Sequence, residues 1–454
     1  MNAPHPSAAD ADVTGDRLVR RLGTLDAVLI VMGGIVGSGI FMNPSVVARY
    51  VQAGSLVLLA WIAGGIIALA GAAVFAELAA RRPLDGGLYA YLRDAYHPVV
   101  AFCYGWTLLL VSQSGGAAAS AVTFASYLPR LLPHLRVAPT AVAVAVIALF
   151  TAVNCLGVRA GAGTQNGLMA AKIVAILGVV AIGTIAALRG GIPHHAVAPP
   201  HDAFAAFGLA LVPVLFAYSG WQTSSFMTGE LRRPDRTLVR GLLLGVAGVC
   251  ALYLAVNAVC LAALGASGLA RTTTPASDVV RLVLGAPGER IMAGIIALST
   301  LGFIGNQILT APRVYRRMAA DRTFFPALAA VHPRTHVPVL AIALQGIAAI
   351  AITLSGRYDV ILNWVTSVDY VFFGLAAVAL LIFRSRDARG SGERSVPFAA
   401  PLQPLASIGF ALVAWAIVVD VILRAPGESL LGLAVLLSGV PAYLGFRAYS
   451  TARR

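Results

Sequence analysis

Twelve apolar stretches joined by short polar links leave this chain one route to a fold: helices packed side by side across a membrane. They run over about 25–43, 55–80, 99–128, 138–158, 167–188, 206–228, 239–265, 288–318, 337–355, 359–383, 404–423 and 429–447. A helix needs ~20 apolar residues to cross the hydrocarbon layer. Inside that layer every backbone N–H and C=O must be paired, which a helix achieves within one segment. The predicted class is therefore all-α and polytopic, with 12 transmembrane helices. Composition agrees, with 59% hydrophobic and 11% charged residues among 454, against ~25% charged in soluble domains. The net charge of +14 does not point to nucleic acid, because the arginines lie in the links. Of 32 arginines, 23 fall on links of one side and nine on the other, a bias that places both termini in the cytoplasm; the expected location is the cell's inner (plasma) membrane. Residues 1–16 are polar and mixed in charge, so no cleavable signal is expected.

The first span is a poor helix. Met32 to Pro44 carries Gly33, Gly34, Gly37 and Gly39, with Ser38 between the last two. Each glycine costs roughly 1 kcal/mol relative to alanine in a helix interior. Two readings stand at this point. Small residues let neighbouring helices approach closely; alternatively the helix is broken, and its freed backbone lines a cavity. The sixth span repeats the anomaly, since residues 212–226 place Pro213, Ser219, Gly220 and a Ser/Thr cluster in mid-span. Interrupted helices at corresponding places in two halves point to a transporter's binding site.

A matched pair at spans one and six implies a five-plus-five inverted repeat. Its halves would be 23–190 and 200–385, after a cytoplasmic tail 1–22. A cytoplasmic loop 386–403 and two appended spans in 404–454 would follow. Broken ends expose N–H groups suited to a carboxylate and carbonyls suited to an ammonium. An α-amino acid carries both on one carbon.

Lys172, in the fifth span, is the only lysine in the chain. An ammonium inside a span costs at least ~2.5 kcal/mol on insertion scales, so it faces a partner or a cavity, unless it snorkels to the nearby interface. Ser299, Thr300, Asn306, Gln307 and Thr310 form a polar face on the eighth span, read as core-lining more than substrate-binding. Asp369 and Asp420 are intramembrane carboxylates and possible proton sites, with Asp420 nearer the interface. Asp26 and Glu77 sit at span ends, where solvated or capping roles are expected. All eight histidines lie in termini or links, and Cys103, Cys155, Cys250 and Cys260 stand singly. No metal site, cofactor or ATP-hydrolysing loop is expected, and the chain does not read as an enzyme.

Residues 37–41 (GSGIF), 216–221 (FAYSGW) followed by Gly229-Glu230-Leu-Arg-Arg-Pro-Asp-Arg, and Pro312-Arg-Val-Tyr with His332-Pro downstream are similar to the amino acid–polyamine–organocation superfamily. Within it the chain resembles L-type amino acid transporters and their bacterial relatives. The resemblance covers about 20–450 and implies a leucine-transporter-like fold with broken helices 1 and 6. It implies substrate contacts from Ile35, Gly37, Ser38, Gly39 and Ile40, and from Phe216, Ala217 and Ser219, with Phe216 as an aromatic lid.

Lys172 matches the fifth-span lysine of sodium-independent members, where an ammonium stands in for a coupling cation. Gly229 departs from the Glu-Glu pair of many relatives. Ser219 replaces the glycine of several large-substrate members, which favours small or medium neutral amino acids. Animal L-type relatives carry a disulfide-linked partner attached through an external-loop cysteine; no cysteine lies in the outer links of this chain, so no such obligatory subunit is expected. The rival readings are a polyamine or other organocation permease, a membrane-embedded enzyme, and a non-transporting receptor.

Overall fold

The computed structural model describes residues 18–134, 137–190, 202–356, 358–389, 396–424 and 426–452. Residues 1–17 of the expected tail, the 191–201 link with its three histidines, Arg136, Arg357, and 390–395 of the expected loop lie outside the described residues. Among those described, every named element is helical. Nine helices are long and apolar enough to cross a membrane, or ten if one bent pair is a single span. Two shorter apolar helices, α7 (Pro139–Cys155) and α14 (Val339–Ser355), fall below that length.

The bent pair is the glycine-rich first stretch. Helix α1 (Thr24–Ile35) stops, residues 36–38 leave the helical path, and α2 (Gly39–Val51) restarts at 48° to it. Asp26 behaves as expected at its end: Gly23 N–H donates to its carboxylate at 2.7 Å, and the Asn166 amide donates to its other oxygen at 2.6 Å. The sixth stretch breaks too. Helix α9 (Ala203–Tyr218) ends in extended Ser219 and left-handed Gly220, then continues as a tight 3-10 run, Trp221–Glu230.

Against these broken stretches pack α3 (Gly54–Arg81), α8 (Val158–Leu188), α10 (Pro234–Arg271) and α12 (Ala286–Thr310), while α6 (Gln113–Leu131, joined to α5, Pro98–Thr107, through a π turn) packs on α12. Helix α15 (Tyr358–Arg389) packs on α3 and α6, and α16 (Leu405–Arg424) covers α15. Helix α13 (Pro312–Ala320) continues α12 within the expected eighth span, and two short helices add to the expected elements: α4 (Leu88–Ala95) and α11 (Pro275–Leu284). Each has ten residues or fewer, so hydropathy over a span-sized window misses them. A tyrosine and tryptophan cluster ties the breaks to the bundle. Trp61, Tyr218 and Tyr253 have ring centroids 5.2–5.7 Å apart, a spacing that adds to their burial.

The arginine-rich end of the bundle is fixed by ion pairs. Glu77 is fully buried, contrary to the solvated or capping role expected of it. It accepts from Arg81 and Arg384 at 2.7 Å and from the Ala400 backbone N–H at 2.8 Å. The segment around Ala400 folds back over the end of α3 and removes it from solvent. Asp420, by contrast, pairs at the surface with Arg424 one turn on. In α4, burial disfavours the Arg93 cation, but Asp321 and Asp94 outweigh that and hold its pKa above the usual arginine value.

Gly229 also finds its explanation at this end. A side chain there would meet the Asp85 carboxylate at 2.9 Å, and Asp85 pairs with Arg316. Asp85 thus fills the space an acidic residue at 229 would need. Glu230 keeps a full partner in Arg313.

Candidate functional site

The two broken stretches cross backbone to backbone. A Cβ on Gly34 would lie 2.5 Å from the Gly220 carbonyl oxygen, and a Cβ on Gly220 only 2.0 Å from that of Gly34. Gly220 also has φ +111°, where any side chain is strained by ~1–3 kcal/mol. Close packing through small residues and a break therefore coexist: the packing is of one break against the other. Gly220→Ala is expected to push the crossing apart and lower the melting temperature of the purified protein in detergent. An unchanged melting temperature in that variant would contradict the crossing.

Leaving the helical path frees the carbonyls at the end of α1, and each is taken by a different helix. Tyr253 of α10 donates to Ile35 O at 3.3 Å, Lys172 of α8 to Val36 O at 2.7 Å, and Ser299 of α12 to Gly37 O at 3.0 Å. Asn306 reaches back to Ile30 O at 2.9 Å and accepts from Thr223 beside the second break. Two residues of the polar face of α12, Ser299 and Asn306, thus clamp the first break, whereas Thr300 and Thr310 donate to Ala297 O and Asn306 O of their own helix, each at 2.8 Å.

Lys172 does not snorkel. It is 2% exposed, its stem crosses Gly302 so closely that a Cβ there would lie 2.6 Å from its Cε, and its ammonium ends on the break. That answers how an unwound backbone survives in an apolar bundle, since a bare carbonyl would cost about 1–3 kcal/mol.

A cavity of about 180 Å³ opens beside the crossing. Eight sequence-derived candidates line it: Ile35, Gly37, Ser38, Gly39, Phe216, Ala217, Ser219 and Asp369. Ile40 does not. It is fully buried, because the ~100° step from one helical residue to the next turns it from the cavity into the core. Lys172 is not a lining residue either; it holds the first break from behind.

Ser38 precedes α2 without capping it through its side chain. Of the first amide N–H groups of α2, that of Phe41 donates to Ser38 O at 3.1 Å, while those of Gly39 and Ile40 precede any intrahelical acceptor and give the cavity wall a positive dipole end. The end of α9 presents carbonyls, the negative counterpart. The Ser219 hydroxyl turns back onto Phe216 O at 2.7 Å, and the Phe216 ring is 40% exposed.

Sequence reading missed the opposite wall. Gln113, Gly116, Ser120 and Thr123 of α6 all line the cavity, spaced three, four and three residues apart on one helical face. That polar stripe in an otherwise apolar span was the available signal. Gln307, read from sequence as core-lining, also lines the cavity, as do Tyr253 and Phe303, and neither aromatic stands out in sequence from ordinary core aromatics. Among the described residues no group of three or more metal-binding side chains occurs.

Comparison with known proteins adds an independent line. The family described as "Amino acid permease" matches residues 22–429. The "Serine/threonine exchanger SteT" of Bacillus subtilis (strain 168) is 28% identical over 438 residues, covering 95% of this chain and 97% of the relative. The human "b(0,+)-type amino acid transporter 1" is 28% identical over 441 residues, covering 95% and 89%. The human "Large neutral amino acids transporter small subunit 2" is 27% identical over 464 residues, covering 97% and 84%.

Proposed function

We propose that this chain, which belongs to the amino acid permease family, is a sodium-independent carrier of small to medium neutral L-amino acids that works by alternating access. Transport of amino acids by a multi-pass membrane protein, and not enzymatic catalysis, follows from the family and its relatives. The finer reading rests on one observation above the others. Two broken stretches cross beside one cavity, with helix-start N–H groups on one and helix-end carbonyls on the other. That pair of dipole ends suits the carboxylate and ammonium of a zwitterion.

Ile35, Gly37, Ser38, Gly39, Phe216, Ala217 and Ser219 supply the head-group contacts in this reading. Lys172 occupies the place of a coupling cation, its ammonium already satisfied on Val36 O, which leaves sodium no role. Movement is by exchange or proton symport; if a proton is coupled, Asp369 is the group that carries it. Placing the breaks at the first and sixth of twelve spans supports a five-plus-five repeat with two appended helices. The arginine bias supports cytoplasmic termini, and the reading places the carrier in the inner membrane. No cysteine lies in the outer links, which is the ground for reading the chain as a carrier without a disulfide-linked subunit.

Counterflow tests this. Purified protein in liposomes loaded with unlabelled amino acid is expected to accumulate labelled neutral amino acids, with rates unchanged within twofold when choline replaces sodium. A protein that moves no amino acid, with or without a proton gradient, refutes the reading. A requirement for sodium refutes the role assigned to Lys172.

A further inference from the structure

At the arginine-rich end of the bundle, Arg81 and Arg82 of the α3 terminus, Arg93 of α4, and Arg313, Arg316 and Arg317 of α13 each pair with a carboxylate. A second set does not. Arg20, Arg232, Arg233, Arg236 and Arg240 are all exposed. Among the described residues, the nearest carboxylate to any of them is Asp235, 4.0 Å from Arg236, with the two side chains 37% and 64% exposed. So loose a surface pair binds weakly. The other carboxylates close by are taken: Glu230 is buried on Arg313, and Asp26 accepts from Gly23 N–H and the Asn166 amide.

The backbone gathers this second set. Leu22 and Leu231 form a parallel bridge; the Leu22 N–H donates to Glu230 O at 2.9 Å and the Arg232 N–H to Leu22 O at 3.0 Å. The segment before α1 therefore lies along the segment before α10. Helix α1 then follows α10 closely, since a Cβ on Gly241 would lie 2.6 Å from the Ala27 Cβ. Arg236, Arg240 and Leu244 stand four residues apart on one exposed stripe of α10, each step rising ~6 Å along the axis. Leu244 is 57% exposed and Leu25, at the start of α1, 69%. Leucines exposed on so apolar a span face hydrocarbon, which puts the arginines just beyond them at the depth of the head groups.

We infer that this patch binds the phosphate head group of an anionic lipid from the surrounding bilayer, and that the lipid holds the segment before α1 against the start of α10. Orientation in the membrane needs only an excess of basic residues on one side, and scattered arginines would serve it equally well. Arginines gathered on two bridged segments, and left without carboxylates, can share one phosphate. Each guanidinium offers paired N–H donors that match two phosphate oxygens. A lipid fits better than a free anion, because Leu25 and Leu244 continue the patch into a surface for acyl chains. The inference concerns lipid binding alone and does not depend on the permease reading.

An arginine near an anionic surface is worth about fivefold in binding. Full-length protein in detergent is therefore expected to retain phosphatidylglycerol over phosphatidylcholine by at least ~25-fold in native mass spectrometry. Arg236→Gln combined with Arg240→Gln is expected to lower that ratio about 10- to 25-fold, and Arg20→Gln with Arg232→Gln to do the same. Arg322→Gln with Arg334→Gln, exposed arginines in the link after α13, are expected to leave it within about twofold of wild type. Phosphatidylglycerol is also expected to slow hydrogen exchange at the bridging Leu22 and Arg232 amides about tenfold. Equal retention of the two lipids, a wild-type ratio in the Arg236 and Arg240 double variant, or an equal fall in the Arg322 and Arg334 control would each overturn the site. Inorganic phosphate at millimolar concentration slowing exchange as much as phosphatidylglycerol would overturn the assignment to a lipid. If the Arg236 and Arg240 variant does not fold, the Arg20 and Arg232 variant, whose changes lie outside the helices, decides by the same ratio.

Discussion

Lys172→Ala is expected to cut transport about 10- to 100-fold while leaving the protein folded, a loss matching the ~1.5–3 kcal/mol of a hydrogen bond to a charged group. The ammonium holds Val36 O at 2.7 Å, at the point where the first span leaves its helical path. Without it, one freed carbonyl loses its donor and the break gains freedom to shift. Alternating access needs that break in a defined geometry, so rate should suffer before stability does. Overall stability is expected to change little, because removing a desolvated cation offsets the lost hydrogen bond. Lys172→Met separates the two contributions, since it keeps most of the stem that passes over Gly302 and removes only the charge. Equal losses in both variants, measured by counterflow alongside melting in detergent, assign the effect to the ammonium. Wild-type rates in either variant would show that the ammonium does not set the geometry of the first break.

Glycine and proline made the two breaks legible, because their helix penalties are local and large enough to register from sequence. Lys172 was legible for a related reason: a single charge in an apolar span demands a partner, although only the structure names Val36 O as that partner. What could not be read was how distant elements meet the breaks. Tyr253 lies in a span whose pattern is plainly apolar, yet its hydroxyl holds Ile35 O. Ile40 sits inside a motif whose neighbours line the cavity, and helical rotation alone turns it into the core. Glu77, at the end of a span, looked solvated because the covering segment around Ala400 lies 323 residues away in sequence. In each case the deciding contact is tertiary, between segments with no local signal of one another. Hydropathy predicts twelve spans; among the described residues, nine helices, or ten with the bent pair, are long and apolar enough. The difference includes α7 and α14, which are apolar but short.

Arg313→Met is expected to destabilise the protein by about 3–5 kcal/mol, the cost of leaving a buried carboxylate without its partner. Arg313 and Glu230 are both 0% exposed, with Nη2 2.9 Å and 3.2 Å from the two carboxylate oxygens. The guanidinium also donates to Leu309 O at 2.5 Å, so it is satisfied on both sides. Glu230 in turn receives the Arg21 and Leu22 backbone N–H groups on its carbonyl, each at 2.9 Å. One residue therefore joins the continuation of the second break, the start of α13 and the segment before α1. Removing both charges tells a different story from removing one. Glu230→Met combined with Arg313→Met puts apolar groups of similar length in the same space, and such replacements are often neutral or stabilising. The double variant is therefore expected to recover most of the loss, measured by chemical denaturation in detergent micelles. A cost below about 1 kcal/mol for the single Arg313 variant would mean that water or another cation reaches Glu230. A double variant no better than the single one would mean that Leu309 O and the local packing, not the ion pair, hold this end of the bundle together.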